Sequence, residues 1–153
     1  MILRVVLAVV LTGALVAAAT PAISVAAADR ADSSVDRQLT ALAADLETMV
    51  ETDDPSTGPG ARAVVELRLP ERTLTSAGVD HLSFHSREGV GVATWRVGDA
   101  GTRSTRLAGV PVRAAGGDLT LRESGAHRLV FGLRSRANGT VLTVRRLGGG
   151  TDA

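Results

Sequence analysis

From Val5 to Ala28 the chain runs for 24 residues without a charged side chain, with Arg4 just before the run and Asp29 just after it. As a helix at ~1.5 Å per residue it extends ~36 Å, against ~30 Å for a bilayer hydrocarbon core. No ordinary domain core has room for such a run, so residues 1–28 stand apart from whatever follows. Two readings fit. In the first, residues 5–28 are a retained transmembrane anchor with Arg4 on the cytoplasmic side, which places the C-terminal domain outside the cell. In the second, Arg4 is the n-region and Val5 to Val16 the h-region of a signal peptide. The small residues Ala26, Ala27 and Ala28 then form the cleavage site before Asp29. Continuity with the next segment favours the anchor, and both readings export the rest of the chain.

Residues 29–54 carry a different pattern. Val35, Leu39, Leu42, Leu46 and Met49 recur at spacings of four, three, four and three, the seam of an amphipathic helix. Asp53, Asp54 and Pro55 stop that helix, because the residue before a proline is pushed out of the α region. The seam is short for a free-standing coiled coil. It is expected to lie on a sheet of the same chain, with a partner helix in an assembly as the other expectation.

Residues 55–62 are rich in Ser, Gly and Pro and read as a linker. From 63 to 147 short alternating runs are punctuated by Gly, Pro and Asn, the mark of an antiparallel β domain, either a single sheet or a sandwich. The expected strands are Ala63–Leu69, a short piece at Thr73–Ser76, Val79–His85 and Val90–Val97. They continue with Thr102–Leu107, an edge piece at Val110–Val112 around Pro111, and Leu119–Leu121. The last hairpin pairs His127–Arg134 (Leu129, Phe131 and Leu133 inward) with Thr140–Leu147 (Leu142 and Val144 inward). Asn138-Gly139 is expected to supply the two positive φ angles of a type I′ turn. Residues 148–153 read as a disordered tail. The fold class is therefore α+β: an N-terminal transmembrane helix, an amphipathic helix, then a small antiparallel head.

Composition narrows the chemistry. There is no cysteine, which excludes disulfides, thiolate zinc sites and thiol nucleophiles. Aromatic residues are confined to Trp95, Phe84 and Phe131, so the core must be built of Val, Leu and Ala. Every basic residue is arginine, and charge is split along the chain. Residues 29–54 hold eight acids and two arginines, while residues 61–147 hold fourteen arginines and seven acids. The basic part has no nucleic-acid module and no aromatic stacking platform, so no nucleic-acid partner is expected.

No catalytic constellation emerges. His81 and His85 share a face of one expected strand, where residues four apart stand ~13 Å from each other and cannot share a metal ion. His127, Ser124 and Glu123 lie within one tight turn, whereas triads converge from separate elements. No phosphate-binding glycine loop is present. The expectation is a non-enzyme with no metal, cofactor or small-molecule substrate. Asn138-Gly139-Thr140 is a sequon for N-glycosylation, which suits an exported domain.

The first third of the chain resembles the stem of type IV pilins and pseudopilins. Val9 to Ile23 reads VVLTGALVAAATPAI, and Pro21 stands near the position where those stems carry a helix-kinking proline. The glutamate found near the start of many such stems is absent. Over its whole length, including LTLRESGAHRL from Leu119 to Leu129, the chain also resembles an uncharacterised family of small single-span haloarchaeal proteins, associated with type IV pilus or secretion gene clusters. These resemblances imply an exported structural or assembly component. It would contact the bilayer through residues 5–28 and protein partners through the helical seam. The alternative is a secreted β-sandwich binding module released after Ala28.

Overall fold

The computed structural model describes residues 2–55, 60–73, 76–114 and 116–148, and within the helix the side chains of residues 2, 16 and 18–21 lie outside the description. One helix, α1 (Ile2–Thr52), is followed by eight strands: β1 (Arg62–Leu69), β2 (Val79–Arg87), β3 (Val90–Val97), β4 (Arg103–Ala108), β5 (Val112–Ala114), β6 (Leu119–Leu121), β7 (Gly125–Arg136) and β8 (Gly139–Arg146). The class is α+β. The strands form two sheets, β1-β7-β8-β5 and β4-β3-β2-β6, stacked as a sandwich.

The two expected helical segments are one continuous helix. It ends where Asp53 donates its N–H to Met49 O at 3.0 Å, two residues before Pro55. Pro21, expected as a kink, falls within this helix, and its side chain lies outside the described residues. The transmembrane character expected of residues 1–28 is not met on the described residues: among them no helix is long and apolar enough to cross a membrane.

The seam does what its spacing dictates. Val35, Leu39, Leu42, Leu46 and Met49 are each at most 7% exposed, and Ala27 and Ala31 extend the buried stripe toward the N-terminus. The helix packs on β4, β1 and β3, so it closes the side of the sandwich where an edge strand of each sheet would face water. Between the sheets, Phe84 of β2 and Phe131 of β7 meet edge to face, with ring centroids 5.8 Å apart. Leu82, Leu129, Leu133 and Leu142 fill the remaining space.

Three local expectations are corrected. The type I′ turn is at Glu88-Gly89, where φ is 52° and 83° and Arg87 pairs with Val90. At the last hairpin Arg136 pairs with Gly139, the loop residues are Ala137 and Asn138, and only Gly139 has positive φ (111°). That is the φ pattern of a type I turn followed by a left-handed glycine. The edge strand near Pro111 begins after it, at Val112, and runs parallel to β8, so the head is not wholly antiparallel. Proline has no N–H for a ladder, but Pro111 O still accepts from Leu142 N at 2.8 Å. At Thr73–Ser76 there is no strand among the described residues; Thr73 N bonds Ser76 O at 2.8 Å, and residues 74 and 75 lie outside the description. Residues 56–59 of the linker and 149–153 of the tail lie outside it too.

Candidate functional site

Two features stand out: the clips that hold the helix to the head, and an arginine-framed groove on the far face of one sheet.

Polar side chains fasten the helix at three heights. Asp32 accepts from the buried Trp95 indole at 2.9 Å through one carboxylate oxygen, and the other faces Arg103 Nε at 3.2 Å. Gln38 copies a strand's backbone: its Nε2 donates to Arg68 O at 2.9 Å and its Oε1 accepts from Arg68 N at 2.8 Å. It thereby satisfies edge groups of β1 that no strand covers. Glu47 accepts from Gly109 N at 3.0 Å and from Arg106 at 3.2 Å. Near the start of the docked part, Ala77 N donates to Ala27 O at 3.3 Å. The seam is thus packed against the chain's own sheets.

The groove lies on the outer face of the β1-β7-β8-β5 sheet and has a volume of about 460 Å³. Residues paired across a ladder share a face of the sheet. Arg62 pairs with Gly132, Gly132 with Thr143, and Thr143 with Arg113, so one row across the sheet reads Arg-Gly-Thr-Arg. Arg145 lies two residues along β8 from Thr143, and Arg134 two along β7 from Gly132, so four guanidiniums frame a low floor. Arg136 lines the same groove. The floor stays low because Gly132 has no side chain and the Thr143 hydroxyl donates to Gly132 O at 2.9 Å. Val130 and Val141 share this outer face, opposite Arg145 and Arg134, and are still buried.

Among the described residues the groove has no acid in its lining. Ion pairs among the described residues engage Arg68, Arg72, Arg96, Arg103, Arg106 and Arg146 and none of the five groove arginines. The outer face of the other sheet differs: Ser104, Thr94, Ser83 and Thr120 form one polar row, with Ser83 and Thr120 hydroxyls 3.0 Å apart.

The remaining residues singled out in the sequence do not converge. His81 and His85 are half-buried on the outer face of β2, and no metal-holding group of His, Asp and Glu occurs among the described residues. His127 is buried, with Nε2 2.7 Å from Glu123 O, and its Nδ1 has no partner among the described residues. Asn138 is exposed at the tip of the β7–β8 hairpin. The groove itself escaped the sequence reading. Arginines two apart at 134 and 136 hint at a basic strand face, but only the strand order brings Arg62 and Arg113 to the same face, from opposite edges of the sheet.

Set against known proteins, the chain matches the family described as Domain of unknown function (DUF7311) over residues 2–147, and it belongs to that family. No curated protein matches it, and neither does any solved structure.

Proposed function

We propose that this DUF7311 member is a membrane-anchored, exported structural or assembly component, a β-sandwich head carried on a helical stem. One observation carries the reading. Among the described residues, and apart from Val64, the exposed large hydrophobic residues are Leu3, Val5, Val6, Leu7, Val9, Val10, Leu11, Leu15, Ile23 and Val25, all on the part of α1 that projects beyond the head. They point to every side of the helix, which suits a lipid or protein interior and not water. The one polar side chain described within residues 5–15, Thr12, donates its hydroxyl to Ala8 O at 2.8 Å, an internal satisfaction that a bilayer requires.

Because Ala27 is buried against the head, the run that projects from it is residues 5–26, ~33 Å as a helix against a ~30 Å bilayer core. Arg4 would lie on the cytoplasmic side and the head outside. Asn138, exposed at a hairpin tip, would then face a compartment where its sequon can be glycosylated. The likeness of the stem to pilins adds assembly to anchoring. With the seam occupied, protein partners would meet the projecting apolar half or the faces of the sandwich.

The second reading is a secreted binding module released after Ala28, and the arginine-framed groove favours it. Cleavage there would remove Ala27 from its buried position and from its bond to Ala77, which favours retention. The experiment is the mass and N-terminal sequence of the mature protein from fractionated cells. A Met1 start in the membrane fraction supports the anchor. A start at Asp29 in the medium overturns it in favour of the binding module, and a start near Val5 points to peptidase processing and a filament.

A further inference from the structure

We propose that the arginine-framed groove on the outer face of the β1-β7-β8-β5 sheet is a binding site for a multiply charged oxyanion, a ligand bearing several carboxylate or phosphate groups. The inference stands whether the chain is anchored or released.

Charge is the first argument. The molecule has acids available for its arginines and uses them elsewhere: Asp32, Glu47, Asp80 and Glu123 each hold an arginine across the fold. In the groove's lining it places none among the described residues. Arginines gathered without an acid between them repel one another, and a bound anion relieves that repulsion. The guanidinium fork also suits carboxylate and phosphate oxygens, which it grips with two parallel hydrogen bonds.

Shape is the second argument. Gly132 sits in the interior of β7, which pairs on both sides, where glycine is destabilising. Its φ is not in the left-handed region, so the backbone does not demand it. A Cβ there would stand 3.2 Å from Thr143 Oγ1 and would raise the floor between the arginines. The glycine keeps a depression where a face of ordinary side chains would be level. The volume, about 460 Å³, compares with ~30 Å³ for one water in the liquid. Several charged groups fit at once, which suits an oligomeric or branched anion.

The test is isothermal titration of the full chain in nonionic detergent with two probes, tripolyphosphate and hexaglutamate, at low and at moderate salt. Saturable binding of at least one probe is expected, weakening as salt rises; which of the two binds more tightly assigns phosphate or carboxylate chemistry. The double variant Arg113→Ala/Arg145→Ala should lose at least tenfold in affinity. Arg87→Ala/Arg122→Ala, two exposed arginines outside the groove, should stay within twofold. Circular dichroism of both variants confirms that the fold is kept. If either variant is misfolded, the single changes Arg113→Gln and Arg145→Gln, each expected to cost at least threefold, replace it. Failure of both probes to bind saturably overturns the proposal, and so does an equal loss in the groove and control variants.

Discussion

Replacing Asp32 by alanine tests the clip that joins helix and head. Asp32 accepts from Trp95 Nε1 at 2.9 Å, and Trp95 is 2% exposed, so the variant leaves a buried indole N–H without a partner. Stranding such a donor costs about 1–3 kcal/mol. The Arg103 pair contributes little beyond this, because Arg103 is 61% exposed and exposed pairs are screened. The expected loss is about 2 kcal/mol, a fall in Tm of roughly 5–10 °C for a domain of this size. The diagnostic is a double-mutant cycle with Trp95→Phe, which removes the N–H and keeps most of the ring. Unfolding is followed by circular dichroism in denaturant, since the substitution also removes the chain's only tryptophan. In the Trp95→Phe background, Asp32→Ala should cost far less than in the wild type, giving a coupling of about 1–2 kcal/mol. Equal costs in the two backgrounds would refute the argument, because the loss would then lie in the Arg103 pair and not in the indole bond.

Other consequences are open to direct measurement. Leu42→Asp buries an unpaired carboxylate at a site 1% exposed, and should cost several kcal/mol and expose the head to protease; unchanged protease resistance would count against the docked seam. Glu88→Asn should stabilise by about 0.5–1 kcal/mol, because Asn tolerates the left-handed φ of 52° better than Glu; a fall in Tm would deny the type I′ turn. Gly91→Ala places a Cβ 2.4 Å from Val112 Cγ2 and should cost about 1–3 kcal/mol. Val112→Ala in the same chain should recover part of that loss, and a strictly additive double variant would place β5 elsewhere.

What could be read from the sequence was whatever one element decides alone. The spacing of Val35, Leu39, Leu42, Leu46 and Met49 names a buried stripe wherever the helix docks. The alternation of Val65, Leu67 and Leu69, or of Leu129, Phe131 and Leu133, names the inward face of a strand whatever its neighbours. Pro55 marks a helix end by sterics alone. The failures share a cause. Asn138-Gly139 and Glu88-Gly89 are both two-residue turn candidates, and the choice between turn types rests on cross-strand register, which pairs Arg136 with Gly139 and Arg87 with Val90. The parallel β5 depends on a partner, β8, that follows it by some 25 residues of chain. The groove needs four strands in a particular order before its arginines become neighbours. Local chemistry is visible one residue at a time; a site assembled across a sheet is a property of topology.

The three polar clips on α1 also decide how the molecule bears load. Asp32 holds the β4-β3 side, Gln38 holds β1 in the opposite sheet, and Glu47 holds the segment after β4. They are spread over ~22 Å of helix and project sideways from its axis. A pull on the projecting apolar half therefore acts along the axis and strains all three clips and the apolar seam together, in shear, instead of opening them one after another as a zipper. Both sheets take the force at the same moment, so the head resists being drawn off its stem more strongly than any single contact would suggest.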